Sequence, residues 1–573
     1  MIDTGDIVTL EILVSGTALP DKIQVMNVTV QRELNRIPYA KITIIDGDAA
    51  TGDFPVSNGQ TLMPGNEVEI LAGYRSETAT IFKGIIINHQ LKIRDGSSVM
   101  LIDCKDKAFK MANSRKSGYF YESKDSDLME ELITRNGLEA DLVPTNFTHP
   151  ELVQYQCTDW DFLVTRAQAN GMVVNVENGK VHVSKPDPEQ GSVQTVKFGE
   201  SIFEFDAEMD GRNQVPGVSS FGWNPTDQEI IKVDAKQSGF SLNGNLSTDE
   251  LANLMNLDPI ELKNGGKIPE VLLQDWADSK LMFQQLSKTR GRVKIQGNSE
   301  PVPGQVITLE GVGDRFSGDA FVSAVMHQIA DGNWTLDVQF GLDPEWFTDQ
   351  FSIHTQPSSG LLAAIRGLQV GVVSQLEGDP DGEDRIMVKL PVINPEEQGI
   401  WCRLSSLDAG SERGFVFRPE IDDEVIVGFI NEDPNQAVVL GMLPSSSHPS
   451  PLELSDDNHL KGYVSRSGIK VLIDDELSKL EIETPAGKKI VMDDDGESIT
   501  ISDDHGNTIT MDGDGIVMDS SADLNIKSSG DINLEGTNIN IKSQAELKAE
   551  GSAGATLSSS GSTTIKGSLI QIN

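Results

Sequence analysis

The chain has 573 residues, and its 88 Asp and Glu against 46 Lys and Arg give a formal net charge of −42. At roughly 100–200 residues per domain, this length predicts several domains rather than one. The charge argues against a DNA- or RNA-binding protein, because phosphate binding requires a positive surface. Apolar residues make up 38% of the chain, which is enough for buried cores and excludes global disorder.

Cysteine use and the N-terminus bear on where the protein folds. Cys104, Cys157 and Cys402 are widely separated, and no CxxC pair is present. This pattern predicts reduced, buried thiols rather than a zinc site or a disulfide scaffold. The first six residues lack the basic and apolar regions of a signal peptide. No run of 18 apolar residues occurs, so no membrane-spanning helix is predicted.

Residues 1–350 are predicted to form two β-rich, barrel-like domains with helical insertions. Short runs of β-branched residues ending at Gly and Asp turns are typical of strands. One helix is predicted after a Ser126 cap and a second after a Thr158 or Asp159 cap. A third helix is predicted over residues 271–288, where large apolar residues recur.

Two linkers are predicted to flank a small barrel. Residues 351–372 contain the run Gln-Pro-Ser-Ser-Gly at 356–360, and residues 445–461 begin with a run rich in Ser and Pro, which is typical of connections. Residues 373–444 contain five short strand patterns, and this number in about 70 residues favours an OB-type barrel.

Residues 462–573 are repetitive. From Ile516 the starts of apolar i, i+2 pairs are spaced 8, 8, 7 and 8 residues apart, and Asp, Ser or Gly follows each pair within two residues. A fixed short period of this kind indicates a β-solenoid. The predicted core residues of the repeat are Leu524, Ile526, Ile532, Leu534, Ile539 and Ile541.

Two inward side chains per repeat are too few to build a core within one chain. Three chains wound around a threefold axis would bring these residues together and pair every strand edge. The predicted fold class is therefore mostly β and multidomain, ending in an intertwined trimeric β-helix needle. A single-chain β-helix stalk is the alternative, and the regular apolar phase disfavours a disordered tail.

Two segments resemble motifs of VgrG (valine–glycine repeat) spike proteins of contractile injection systems. Residues 155–163 resemble the motif of the phage-hub-like part, and residues 428–441 resemble the motif that closes the barrel. Glu432 replaces the usual Gly of the second motif, whose closing Asn is absent. These spikes look like a fusion of a phage hub with a phage central spike. Residues 34–38 and 46–48 look more like spikes of extracellular phage-tail-like particles than like type VI secretion spikes, which remain the alternative.

The resemblance implies a homotrimeric spike made and assembled in the bacterial cytoplasm. Its implied partners are the inner tube, baseplate proteins, a PAAR-type tip protein and effector cargo, with transient contact with a target membrane and no nucleic acid. We expect such a particle to act outside the producing cell. The predicted tip interface is Leu569, Ile570, Gln571, Ile572 and Asn573.

No catalytic residue, cofactor or metal site is predicted. The motifs HExxH, GxSxG and GxxxxGK[ST] are absent from the sequence. The acidic runs at residues 493–496 and 512–515 are predicted to be turns, because their Gly is misplaced for an EF-hand. Weak cation binding is the alternative. His505, the last histidine, is expected in an exposed turn rather than at a metal.

Two other protein classes, a polysaccharide-degrading tailspike and a receptor-binding fibre, are alternatives to the spike. A polysaccharide-degrading tailspike would need aromatic residues along its solenoid, but none follows Tyr463. A receptor-binding fibre would need a globular tip after the repeat. Since the repeat continues to the last residue of this sequence, neither that tip nor an attached effector is expected.

Overall fold

β-Branched residues alternating with polar ones make strands the main element of the chain. The computed structural model describes residues 7–94 and 97–572. Residues 1–6 of the predicted first domain and Asn573 of the predicted tip interface lie outside the described residues. The chain divides into unit 1, residues 1–365 with 431–434, and unit 2, residues 366–430 with 435–573.

Unit 1 contains the following described strands in chain order: β1 (Val8–Val14), β2 (Thr17–Ala18), β3 (Val25–Glu33), β4 (Tyr39–Ile45), β5 (Glu67–Tyr74), β6 (Glu77–Arg94), β7 (Ser97–Lys105), β8 (Arg115–Lys124), β9 (Glu139–Leu142), β10 (Thr148–Thr158), β11 (Val173–Glu177), β12 (Lys180–Ser184), β13 (Gln194–Lys197), β14 (Ile202–Met209), β15 (Val218–Asn224), β16 (Glu229–Asp234), β17 (Ile260–Lys263), β18 (Thr289–Gln296), β19 (Val306–Glu310), β20 (Gly318–Ala330) and β21 (Asn333–Phe340). Its helices are α1 (Asp125–Thr134), α2 (Asp159–Ala169), α3 (Thr248–Met255), α4 (Glu270–Leu286) and α5 (Phe347–Gln350), with short 3₁₀ turns at Lys107–Ala112 and Pro357–Gly360.

One sheet runs through both predicted β-rich parts of residues 1–350. Among the described residues it holds thirteen strands in the order β14-β18-β21-β20-β3-β4-β7-β6-β5-β1-β2, with β13 and β19 joined to it through β20. The thirteen-residue β20 pairs with β3, β19 and β21, which connects two hydrophobic cores. The prediction of a mostly β, multidomain chain is confirmed.

The helices begin where local and distant groups satisfy their first N–H groups. Thr158 caps α2 as predicted, accepting from the Asp161 N–H at 3.0 Å. Ser126 does not cap α1. It lies in the first turn, and its own N–H donates to Thr145 Oγ1 at 3.0 Å. The prediction failed because a residue distant in sequence supplies the cap.

One helix was not predicted. α3 follows a capping box in which Ser247 and Glu250 accept from each other's backbone N–H. The Ser-x-x-Glu spacing in the sequence is the signal that would have found it.

The described residues of unit 2 begin with a closed barrel of five strands and a separate hairpin of two short strands. The strands are β22 (Gln369–Gln375), β23 (Ile386–Lys389), β24 (Ile400–Leu404), β25 (Ala409–Gly410), β26 (Arg413–Gly414), β27 (Glu424–Phe429) and β28 (Ala437–Met442). The barrel order is β22-β23-β24-β28-β27.

The barrel starts inside the stretch expected to be a linker. β22 begins at Gln369, four residues before the predicted start at 373. Gly371 lies in the predicted linker, but in the structure it faces the barrel interior, where an added Cβ would come 2.4 Å from Val388 Cγ1. A glycine is needed there because the two strands approach so closely.

A seven-stranded antiparallel meander follows between residues 460 and 519, all of which are described. Its strands are β29 (Leu460–Val464), β30 (Lys470–Asp474), β31 (Lys479–Glu483), β32 (Lys489–Asp493), β33 (Ser498–Ser502), β34 (Thr508–Asp512) and β35 (Gly515–Asp519). The first six strands start nine or ten residues apart, so the octad period does not extend back to residue 462.

This meander differs from the predicted needle in its pairing. Each strand bonds to the next strand of the same chain, whereas an intertwined β-helix pairs strands of different chains. The longer repeats leave room for tight turns between antiparallel neighbours, and this favours pairing within the chain. Among the described residues, no helix is long and apolar enough to cross a membrane.

Candidate functional site: the apolar face of the C-terminal sheet

The meander has two chemically different faces because successive side chains of a strand point in opposite directions. In residues 470–519 one face carries two apolar side chains from each strand. They form two columns that follow the cross-strand pairs, here called the apolar ladder. The first column is Val471, Ile482, Ile490, Ile501, Ile509 and Met518, and the second is Ile473, Leu480, Met492, Ile499, Met511 and Ile516.

The register explains why the columns are continuous. Ile490 lies directly opposite Ile482 on one side and Ile501 on the other. Met492 lies opposite Leu480 and Ile499 in the same way. Direct partners in an antiparallel sheet project from the same face, so a one-residue slip would break both columns at once.

The opposite face of the same strands is mostly polar, with Leu472, Val491 and Val517 as its apolar residues. Lys489 Nζ lies 2.8 Å from Glu481 and 4.0 Å from Glu483, and Lys470 lies 3.5 Å from Glu483. The hydrogen bond from Lys489 lowers the pKa of Glu481 below its ordinary value. Beyond β32 this face changes from ion pairs to the Ser and Thr residues of β33 and β34.

The apolar ladder is uncovered in a single chain. Ile490 is 39% exposed, Met492 46% and Ile516 67%. Soluble proteins rarely leave a contiguous apolar face of this extent open, and such a face marks an interaction site. An amphipathic sheet with one bare face therefore requires a partner surface, since sheets gain stability by burying that face.

The predicted needle core lies beyond this sheet. Between residues 520 and 572, a range described throughout, no strand forms within the chain. The predicted core residues are 53–71% exposed and are not brought together in a single chain: Leu524, Ile526, Ile532, Leu534, Ile539 and Ile541. The predicted tip residues Leu569, Ile570, Gln571 and Ile572 are exposed as well.

The acidic runs form turns between strands. The Gly496 N–H donates to Asp493 Oδ1 at 2.7 Å, and the Asp514 N–H donates to Asp512 Oδ1 at 2.9 Å. These carboxylates are thus used within their own turns. His505 lies in the exposed turn between β33 and β34, as predicted. Across residues 7–94 and 97–572, no group of three or more His, Cys, Asp or Glu is arranged to hold a metal ion.

One serine–histidine pair lies at the distance expected of a nucleophile and its base. Ser57 Oγ lies 2.8 Å from His89 Nε2. The buried Asp46 carboxylate accepts from the backbone N–H groups of Val56 and Ser57 instead of orienting His89. The arrangement therefore lacks the third member that a triad requires, and the pair reads as a structural contact between a loop and β6.

The strongest buried charge clusters hold two helices together. Asp125, at the start of α1, accepts from Arg166 Nε at 2.6 Å and from Asn170 and His149 at 2.9 Å each. Burial alone would raise the pKa of Asp125, but the hydrogen bonds from Arg166, Asn170 and His149 outweigh it and lower that pKa to about 2.

A matching cluster joins the other ends of the same helices. Asp159, at the start of α2, accepts from Arg135 Nε at 3.0 Å, Asn136 at 2.7 Å and Lys116 at 2.6 Å. Although burial opposes it, these donors hold the pKa of Asp159 well below its usual range. Sequence reasoning missed both clusters, although acidic residues in the first turn of each helix were a local signal.

The three cysteines are buried, as predicted. Burial raises the pKa of the Cys104 and Cys402 thiols to about 12. Thiols in this state are inert toward nucleophilic chemistry, so they belong to the cores rather than to a reactive site.

Residues 4–331, more than half of the chain, match the family model described as the Alg8 N-terminal domain. The chain belongs to this family. Residues 369–443 match the type VI secretion system/phage-baseplate injector OB domain. Residues 479–548 match the phage baseplate V C-terminal trimerisation domain, which overlaps the apolar ladder from β31 onward.

Two curated relatives match shorter stretches. A stretch of 150 residues is 28% identical to the "Actin cross-linking toxin VgrG1" of Vibrio cholerae serotype O1, covering 24% of this chain and 14% of that protein. A stretch of 130 residues is 28% identical to the "Probable baseplate hub protein" of Escherichia phage P2, covering 22% and 33%. The chain thus spans a third or less of the length of either relative.

Among solved structures, the tail protein from Neisseria meningitidis MC58 is 14% identical, with a TM-score of 0.44 over 60% of this chain and 98% of that one. The family matches and the curated relatives together confirm the predicted resemblance to VgrG-type spike proteins.

Proposed function

We propose that this chain is the homotrimeric central spike of a contractile injection system. In this role it caps the inner tube at the baseplate, punctures the target envelope and delivers effectors. The observation that carries the proposal is the apolar ladder, which is bare in one chain and overlaps a match to a trimerisation domain.

Three copies can cover one another's ladders around a threefold axis. The polar faces then point outward, where the ion pairs of β31 and β32 and the Ser and Thr residues of later strands are solvated. A face-to-face dimer would also bury the ladder, as two sheets of a sandwich do. The trimerisation-domain match favours three copies over two.

The same arrangement extends to residues 520–572. Their apolar pairs are exposed in one chain, and their strand hydrogen bonds have no partner within that chain. Strands from two other copies would supply both. We therefore propose an intertwined needle from about residue 520, with Leu524 to Ile541 at its axis.

The proposed domains keep the bounds expected from the sequence, except that the barrel begins at Gln369 and the C-terminal sheet begins at Leu460. Residues 1–350 are assigned to the hub, 373–444 with their extension to Gln369 to the OB barrel, and the chain from Leu460 to the needle. Residues 569–573 are proposed to receive a PAAR-type tip protein, because an uncovered end with exposed apolar side chains is an aggregation site.

The mechanism requires no catalytic residue of this chain. Force comes from contraction of the surrounding particle, and the spike contributes stiffness through its continuous series of hydrogen-bonded strands. We place the protein in an extracellular phage-tail-like particle rather than in a type VI system, on the strength of residues 34–38 and 46–48. Isolation of assembled particles containing this chain from culture medium supports that assignment, and strict cell association contradicts it.

The deciding experiment is a mass measurement on the purified full chain. Light scattering should give three times 62.2 kDa. A mass of twice 62.2 kDa would replace the trimer with a sandwich dimer. A folded monomer at micromolar concentration would refute the spike proposal, because the ladder would then have no copy of itself to bind.

A further inference from the structure

The apolar ladder does not end at β30 but continues toward the barrel as three aromatic rings. The Phe415 and Phe417 rings stack with centroids 6.0 Å apart, and Phe417 meets Tyr463 edge to face at 5.0 Å. Each of the three side chains is about half exposed. We call these three residues the aromatic collar.

The loop that carries the collar is held in place. Arg413 binds both oxygens of Asp408 at 2.7 and 3.0 Å, and Ser406 Oγ donates to the Phe415 carbonyl at 2.9 Å. Farther along, Arg466 beside β29 pairs with Glu420 at 2.7 Å. The two phenylalanines are therefore presented on a fixed hairpin rather than on a free loop.

Register places the collar at the head of the first ladder column. Tyr463 lies directly opposite Val471, so its ring projects from the apolar face. The collar and the ladder form one continuous apolar strip on unit 2. At the same level of the second column stands Lys461, which pairs with Asp475, so the aromatic extension is confined to the first column.

The ladder alone specifies the alignment of copies poorly. Its columns repeat Ile, Leu, Val or Met at every strand, so a copy displaced by one hairpin, about 10 Å along the axis, would still place apolar side chains on apolar side chains. A net charge of −42 on each chain supplies repulsion but no registering contact. A feature that occurs once per chain is needed to distinguish the aligned state from displaced ones.

We propose that the aromatic collar is a contact between copies of this chain that fixes the axial register of the trimer. The inference rests on the proposed trimer and adds the residues that align it. Aromatic side chains suit this role because they contribute a large contact area and prefer specific ring geometries. Only aligned copies bring all three collars to one level.

The register can be measured by distances between spin labels. Asp495, in an exposed turn between β32 and β33, is replaced in Asp495→Cys and carries a nitroxide. The natural cysteines are buried and stay unlabelled. An aligned threefold trimer gives a single interspin distance. When Phe415→Ser and Phe417→Ser are both introduced into the labelled chain, we expect trimers with a second, longer interspin distance. The matched control Leu407→Ser changes an apolar residue of the same loop that is 93% exposed, and it should keep the single distance.

The outcomes separate this inference from the proposed function. If the unaltered chain is not trimeric, the proposed function fails before register is in question. A trimeric collar variant with the single original distance overturns the collar's role. A monomeric collar variant beside a trimeric Leu407→Ser control supports a contact between copies. The milder variant Tyr463→Leu, which keeps an apolar side chain, must then form a trimer that shows the longer interspin distance. A Tyr463→Leu trimer without that distance overturns the proposal that the collar fixes the register.

A separate experiment tests whether another copy of this chain covers the collar. Val416, which is 80% exposed between the two phenylalanines, is replaced in Val416→Cys and carries a polarity-sensitive fluorophore. Emission should shift to the blue in the trimer but not in an Ile501→Asp chain whose ladder cannot assemble. An equal shift in both chains would mean that this chain covers its own collar, and no shift in the trimer would mean that no copy reaches it. Either result overturns the proposal.

Discussion

Substitution of Ile501 by Asp is the sharpest test of the apolar ladder. Ile501 stands in the middle of the first column, opposite Ile490 and Ile509, and is 42% exposed in one chain. Complete burial of an isoleucine is worth about 1.5–3 kcal/mol, so covering the remaining exposed part contributes about 1 kcal/mol per chain. Three chains together lose about 3 kcal/mol when the side chain is removed.

The introduced carboxylate adds a larger cost. Three carboxylates would meet near one axis without a cation, and each costs several kcal/mol even after local relaxation. At about 3 kcal/mol for each charge, the total reaches about 12 kcal/mol per trimer. Since 1.4 kcal/mol is a factor of ten, the association constant of the trimer should fall by roughly nine orders of magnitude.

The assay is light scattering of the full chain at micromolar concentration, with circular dichroism to verify that the hub and barrel stay folded. The matched control is Thr500→Asp, which places the same charge one residue earlier on the polar face, between Val491 and Thr510. We expect a monomer for Ile501→Asp and a trimer for Thr500→Asp. A stable trimer of Ile501→Asp would refute the inward orientation of the ladder.

Three further predictions concern other parts of the chain. Replacing both Ile532 and Ile539 by Asp should leave a folded hub but abolish protease resistance beyond β35, as seen by limited digestion and mass spectrometry; an unchanged digestion pattern would remove these residues from the needle axis. Deleting residues 567–573 should abolish pull-down of a PAAR-type partner while the trimer mass is kept, whereas equal recovery would place the tip protein elsewhere. The lowered pKa of Asp125 means that its stabilisation is complete above about pH 4 and is lost as the pH falls through about 2. The difference in unfolding free energy between the natural chain and Asp125→Asn should therefore shrink by about 2 kcal/mol between pH 5 and pH 2 in denaturant titrations. A constant difference would contradict the stabilisation of the Asp125 carboxylate by Arg166.

Several features followed from the sequence because their causes are local. Alternating β-branched residues identified the strands, and the i, i+2 apolar pairs indicated that the C-terminal repeat has one apolar face. Thr158 was recognised as a cap because the group that it satisfies lies three residues away. The burial of the cysteines followed from their isolation and from the lack of any partner motif.

Other features depended on which distant segments meet. Thr145 caps α1 from outside the helix. Arg166 of α2 neutralises the Asp125 carboxylate at the start of α1, and Arg135 at the end of α1 neutralises the Asp159 carboxylate at the start of α2. Gly371 reads as a linker residue until Val388 is placed against it. These contacts join residues tens of positions apart, so no periodicity of the sequence carries them.

The C-terminal sheet shows both kinds of cause in one element. Its apolar pairs determined that one face must be buried, whatever the pairing of the strands. Tertiary structure alone decided that β29 to β35 pair within one chain and that Phe417 packs on Tyr463 at the head of the ladder. Apolar spacing specifies which side chains leave water, but strand partners are chosen by turn length and by the backbone hydrogen bonds that the turns allow.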